Sequence, residues 1–182
     1  MAGSADPDRA PGRPPVAVAL RSLAAADEWI TAALETDPEV MRHLGGPLAS
    51  STIPALHARR VRGVETGRDW FFVVHVNGPN GPPAGTICVW AEDTHGPDGG
   101  SEIGWGLLPA FQGQGIASAG VRAVLDLART DGRWGDIHAF PKVENLASNA
   151  LALACGFQLA GTVLLEFRGR LGRYNDWVIA TT

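Results

Sequence analysis

The 182-residue chain has two cysteines, one tyrosine and no excess of basic residues, and each shortage removes a class of function. Cys88 and Cys155 fit neither a CxxC pattern nor a zinc-type spacing, so a dithiol redox pair and a cysteine-held metal are not expected. Two small core thiols in a reducing, cytoplasmic setting account for them. Fifteen Lys and Arg against nineteen Asp and Glu leave a formal net charge of −4. Gripping nucleic-acid phosphates requires the opposite balance, so no nucleic-acid partner is expected. No run of roughly 18 apolar residues exists, which removes a membrane-spanning helix. The histidines have no metal-ligand spacing, and no internal repeat is visible.

What remains is an ordinary globular composition, 45% hydrophobic and 19% charged, long enough for one buried core. The opening "MAGSADPDRAPGRPP" is rich in Pro, Gly and charge and has no apolar centre. It is expected to be a flexible tail rather than a signal peptide, with a single domain over 16–182. Helical spacing predicts helices over 25–37, over 37–45 with Asp37 as N-cap and Pro38 at the first turn, and over 51–67 despite Gly63. Strands follow at 69–77, 84–92 and 101–108, the first two separated by the turn cluster "GPNGPP". Then come a helix over 113–130, a strand over 134–141, a helix over 145–157 closed by Gly156, and a terminal hairpin. The order implies an α+β fold, a mixed, mostly antiparallel sheet of six to seven strands flanked by helices.

The stretch "LLPAFQGQGIASAG" places Gly113 and Gly115 between a strand and a helix. The first N–H groups of a helix have no partner inside it, and together with the helix dipole they attract anions. Two glycines there clear the way for a diphosphate; alternatively, Gly115 lets the helix pack closely on a strand. No Lys follows the glycines, so a P-loop fails, and "GQGIAS" lacks the third glycine of a dinucleotide fingerprint.

One pattern does fit. Gln112, Gly115 and Ala117 match Q/R-x-x-G-x-G/A, the acetyl-coenzyme A signature of the GNAT N-acetyltransferases. "SEIGWGLLPAFQGQGIASAGV" and "NLASNALALACGF" resemble its ribosomal-protein-alanine (RimJ/RimL-like) branch, and the order of elements agrees over about 16–181. The resemblance implies a single-domain GNAT fold, acetyl-CoA as co-substrate and a primary amine, on a peptide or a small molecule, as acceptor. It also makes a homodimer plausible. A silent acetyl-CoA-binding module is the alternative.

The resemblance also assigns roles. Backbone groups of Gly106, Leu107 and Leu108 would hold the pantetheine arm, and the Leu107 N–H would face the thioester carbonyl. The N–H groups of Gln112, Gly113, Gln114, Gly115, Ile116 and Ala117 would take the pyrophosphate. Glu102 would be the base for the amine or else a structural carboxylate; strict alternation sets it opposite Trp105 and Leu107, unless a bulge intervenes. Asn145 would bind pantetheine, cap a helix, or both. Ser148 would serve the departing sulfur or a backbone group. Many GNAT enzymes carry an acidic tyrosine where this chain has Ala152. Tyr174 falls in the last strand pair and reads as structural. His75 and His138 read as satisfied strand histidines, while His43, His95 and the 94–100 loop would border the amine pocket. Arg59, Arg60 and Arg62 read as a solvated helix face or a hold for the adenosine 3′-phosphate. Trp29, Trp70, Trp90, Trp105 and Trp177 read as core anchors.

Overall fold

In the computed structural model, which describes residues 16–92 and 100–181, seven strands form one sheet. They are β1 (Val18–Ser22), β2 (Asp69–Val76), β3 (Pro83–Glu92), β4 (Gly100–Leu107), β5 (Asp136–Ala139), β6 (Gln158–Phe167) and β7 (Arg170–Ala180). Their order across the sheet is β1-β2-β3-β4-β5-β7-β6. Every neighbouring pair is antiparallel except β4 with β5. Four helices flank it: α1 (Glu28–Glu35), α2 (Ile53–Glu65), α3 (Ile116–Asp131) and α4 (Leu146–Ala154). The expected tail, His95 and most of the 94–100 loop lie outside the described residues.

Each face of the sheet buries a different cluster. Ile87, Val89, Ile103 and Leu107 meet Ile116, Val121, Val124 and Leu125 of α3. On the other face, Val73 meets Ile30 and Leu34 of α1 and Val61 of α2. The α3 stripe is the one its sequence spacing predicts. Gly63 stands inside α2 because Asp69 packs against it; a Cβ there would lie 2.2 Å from the Asp69 carboxylate. At the end of α4, Gly156 has φ +92, the Gly156 N–H donates to Leu153 O and the Phe157 N–H to Ala152 O. That double bond is a Schellman closure, as the glycine predicts.

Two expectations are corrected. Residues 37–45 form turns, not a helix. Asp37 does cap, its Oδ1 accepting from the Glu39 and Val40 N–H groups, and the Met41 N–H bonds to Asp37 O. One such turn does not propagate without an amphipathic face to bury; only Met41 is deeply buried, and Gly45 and Gly46 at positive φ end the segment. In α1, Trp29 is 49% exposed and is no core anchor. The buried positions are Ile30, Thr31, Leu34 and Glu35, a face that includes two polar residues. Thr31 Oγ1 pairs with His57 Nδ1 at 2.9 Å, tying α1 to α2.

The entry of the chain into α1 is held by charge. Buried Asp27 accepts two bonds from Arg21, at 2.7 and 2.8 Å, and one from the Ala24 N–H. The Arg21 bonds are the main cause that sets its pKa below the usual aspartate value, against an opposing effect of burial. The unfolded chain therefore binds this proton more tightly. Asp27 contributes stability above its unfolded pKa of about 3.9, and the contribution is lost as pH falls through the lower native value. Asp27→Asn should cost about 1–2 kcal/mol at pH 7. The difference between variant and wild type should shrink toward zero as melting is followed down to about pH 3; a constant offset would contradict the linkage.

Candidate active site

The register of β4 decides where the site lies. β4 pairs with β3 without a shift along its whole length, from Glu92↔Gly100 to Gly85↔Leu107. With β5 it pairs only at Ser101↔Ile137 and Glu102↔His138. Beyond that point the two parallel strands part. The Leu108 N–H donates to Ala84 O at 2.8 Å, which fixes the antiparallel alternation: Gly106 and Leu108 turn their backbone groups to β3, Trp105 and Leu107 turn theirs to the gap. Of the expected trio of Gly106, Leu107 and Leu108, Leu107 alone turns its backbone groups to the gap, as Trp105 also does. Leu107 O is already taken, accepting from Gln112 Nε2 at 3.0 Å.

The same alternation, with no bulge between β3 and β4, puts Glu102, Gly104 and Gly106 on the face covered by α1 and α2. Ile103, Trp105 and Leu107 face α3 and α4. A cleft of about 640 Å³ passes through the gap and touches both sides. Its wall includes Glu102, Gly106, Leu107, Gln112, Gly113, Gly115, Ile116, Ala117, Asn145 and Ser148, so most of the residues singled out in the sequence converge on one cavity. Leu108 and Gln114 do not line it; the Gln114 amide donates to Ala110 O instead.

The turn into α3 has the chemistry its glycines suggest. Gly113 and Gly115 adopt φ +68 and +79, left-handed values that side chains disfavour. Close packing is not the reason for them: a Cβ on Gly113 would meet nothing within 4 Å, and one on Gly115 only Val16 at 3.8 Å. The Gln112 N–H is spent on Pro109 O, at 3.2 Å. The next six backbone N–H groups, Gly113 to Ser118, have no acceptor among the described residues. A row of open donors at a helix N-terminus is an anion cradle, and its residues fit a diphosphate.

Residues 18–158 match the acetyltransferase (GNAT) domain. The chain belongs to the GNAT family of acetyl-CoA-dependent N-acetyltransferases. A comparison with curated protein sequences gives no match. Solved structures share the fold. RimL, a ribosomal L7/L12 α-N-protein acetyltransferase in complex with coenzyme A, has a TM-score of 0.75 at 19% identity, covering 90% of this chain and 93% of that one. Spermidine N-acetyltransferase from Vibrio cholerae, in complex with CoA and spermine, gives 0.74 at 21%, over 90% and 95%. Aminoglycoside acetyltransferase AAC(6')-Ib with coenzyme A gives 0.74 at 18%, over 90% and 95%.

Several side chains of this GNAT domain can now be placed. Asn145 caps α4, its Oδ1 accepting from the Ser148 N–H at 3.2 Å. The Ser148 hydroxyl accepts from Trp105 Nε1 at 3.4 Å, which leaves its own proton for another partner. Ala152, where many GNAT enzymes carry tyrosine, is fully buried in the core. Tyr174 is buried off the cleft, and burial raises its pKa. Cys88 lines the cleft, but burial pushes its thiol up to about 12, so it is no nucleophile. His43 lines the cleft too; burial first, then the neighbouring Arg42, lowers its pKa, so its ring is neutral at pH 7. His138 Nδ1 lies 2.7 Å from Asp176 Oδ1, and His75 Nδ1 donates to Gly81 O at 2.8 Å. Arg59 and Arg62 are exposed, as expected of a solvated face. Arg60 is not: it turns into the cleft, pairs with Glu35 and stacks on Phe71 at 5.2 Å.

Sequence reasoning passed over Asn149. Its Oδ1 accepts from Asn175 Nδ2 at 2.7 Å and Trp177 Nε1 at 2.8 Å, both on β7. Its Nδ2 donates to Lys142 O at 2.9 Å and Asn145 O at 2.8 Å. One amide thus locks the start of α4, with Asn145 and Ser148, onto the sheet. Asn149→Ala should cost about 2–3 kcal/mol, since it strands several polar partners. It should also lower kcat through the loosened α4 terminus. Wild-type stability and turnover would show that the clasp is dispensable.

Proposed function

We propose that the protein transfers an acetyl group from acetyl-CoA to a primary amine by direct attack in a ternary complex. The observation that carries this reading is one cleft that joins five of the six open N–H donors, all but that of Gln114, to a carboxylate, Glu102, through the gap between β4 and β5. The donors of the α3 turn suit the pyrophosphate. The Trp105 backbone and the Leu107 N–H suit the pantetheine arm, with the Leu107 N–H also placed to stabilise a developing oxyanion. Acetyl-CoA supplies the activated acyl group.

The remaining requirements fall on this chain's own side chains. An ammonium has no lone pair, so the acceptor must lose a proton before it attacks. We assign that proton to Glu102, directly or through water. The Ser148 hydroxyl, held by Trp105, offers its proton to the departing sulfur in place of the absent tyrosine. The motif set of β4, the cradle and α4 favours the RimJ/RimL-like branch, and with it a peptide N-terminus or a small-molecule amine as acceptor. A silent acetyl-CoA-binding module would have no need for a carboxylate and a hydroxyl at the two sides of the gap. We also assign a homodimer to the β6–β7 hairpin, where Leu164 and Leu171 are 66% and 70% exposed and β6 is an edge strand of the sheet among the described residues.

Two experiments test the assignment. Ala117→Glu places a negative charge in the first turn of α3, at a position whose backbone does not need glycine. It should abolish acetyl-CoA binding by calorimetry with little change in melting temperature; unchanged affinity would defeat the cradle. Glu102→Gln should lower kcat by about 10²–10³ and flatten the acidic limb of the pH profile. Ser148→Ala should give a smaller loss, about tenfold. Free-thiol release over an amine panel reads all three, and cofactor binding with no turnover on any amine would favour the silent module.

A further inference from the structure

The α1/α2 side of the cleft holds an ion cluster that none of the sequence motifs covers. Glu35, at the end of α1, has a side chain only 10% exposed. Its Oε1 accepts from Arg60 Nη2 on α2, and its Oε2 from Arg168 Nη2, at 3.0 Å, in the β6–β7 turn. Arg168 also donates to Gly46 O at 3.4 Å. One carboxylate therefore serves two guanidinium groups, and the cluster keeps one positive charge in excess. All three residues line the cleft.

The excess has a direction. Arg60 uses a single nitrogen on Glu35, and its Nε and Nη1 donors have no acceptor among the described residues. Its plane lies over the Phe71 ring, and the Nη2 hydrogen not given to Glu35 forms a two-donor fork with the N–H it shares an edge with, on Nε or Nη1. The fork is near the reacting end of the cleft: Arg60 lies over Phe71, Phe71 pairs with Cys88 across β2 and β3, Cys88 pairs with Gly104 across β3 and β4, and Glu102 is two residues along β4 on the same face. Base and fork thus flank one side chain, a span that a small molecule bridges.

We propose that this fork binds a carboxylate of the acceptor, so that the substrate class is an amine whose own skeleton carries a carboxylate group. This rests on the acetyltransferase reading above. A planar two-oxygen anion matches the fork-to-fork geometry of a guanidinium edge. A polyamine, by contrast, would bring cations to a wall where Arg42, Arg60, Lys142 and Arg168 already outnumber Glu35, Glu39 and Glu102 among the described residues. Glu35 acts as a positioning residue that holds both arginines.

The test uses the full chain with acetyl-CoA and a series of ω-amino carboxylates of two to six carbons, each beside its ω-amino amide, its ω-aminoalkylphosphonate and spermidine. Turnover is read by thiol release and binding by calorimetry in the presence of coenzyme A. The carboxylate of the best length should exceed its amide by at least about tenfold in kcat/KM, equivalent to about 1.4 kcal/mol. Arg60→Gln should erase that ratio, mainly through KM. Arg60→Lys keeps the charge without the fork and should recover only part of it; acetyl-CoA affinity near the wild-type value shows that each variant is folded. Equal use of carboxylate and amide, preference for spermidine, or a ratio that survives Arg60→Gln would overturn the proposal while leaving acetyl transfer intact. A phosphonate preferred by tenfold would overturn the carboxylate in favour of a phosphate group. If no amine turns over, carboxylate binding that Arg60→Gln removes would still uphold the fork and would count against transfer alone; absence of that binding would defeat it.

Discussion

The structure is organised around a parallel strand pair that stops too early. β4 and β5 share two residue pairs, Ser101↔Ile137 and Glu102↔His138, and then diverge. Peptide groups left without partners are costly unless water or a ligand serves them. At Trp105 and Leu107 the backbone faces a cleft instead of a strand, and residues 113–118 add a row of N–H groups with no acceptor among the described residues just beyond it. A long anionic molecule with amide groups along its length would suit both sets, which is the basis of the proposal that acetyl-CoA binds here.

The rest of the domain keeps that gap open. Trp134, Ile137, Ala139 and Trp177 anchor the β5–β7 side in the core, while Val89, Ile103 and Leu107 anchor the β4 side. Asn149 ties α4 to β7 and so holds Asn145 and Ser148 at the far edge of the opening. On the opposite face, Gly104 and Gly106 carry no side chain into the cleft below α1 and α2. Two separate buried clusters, one on each face of the sheet, thus flank the gap.

The glycine turn and the helix after it were legible because they are local. Gly113, Gly115 and the α3 stripe lie within twenty residues, and their spacing states both the helix and its open end. The strand identity of β4 and the cap at Asn145 were legible for the same reason. What was hidden depends on partners distant in the chain. Arg60 sits in a run with Arg59 and Arg62 that reads as a wet helix face, and only the burial of Glu35 shows that one of the three turns inward. Trp29 carries the strongest hydrophobic signal of its helix and is half exposed, because Thr31 and Glu35 take the inner face with partners on α2 and the last hairpin. Residues 37–45 carry good start signals for a helix, but a cap specifies only a first turn and cannot supply the buried face that sustains the next.

The ion cluster of Glu35, Arg60 and Arg168 joins parts of the chain that lie far apart in sequence. Glu35 and Arg168 are 133 residues apart in sequence, and their contact joins the first helix to the final hairpin. Closing so long a loop is entropically expensive, so such a contact forms late, after the sheet has aligned both ends. Until it forms, Glu35 has only Arg60, and the cleft lacks the hairpin side of its wall. The cradle needs no such event, since its turn and helix are contiguous. The α3 turn and the Glu35–Arg168 contact are therefore separable in folding as well as in space, and local unfolding of the hairpin would dismantle the ion cluster before it disturbed the turn.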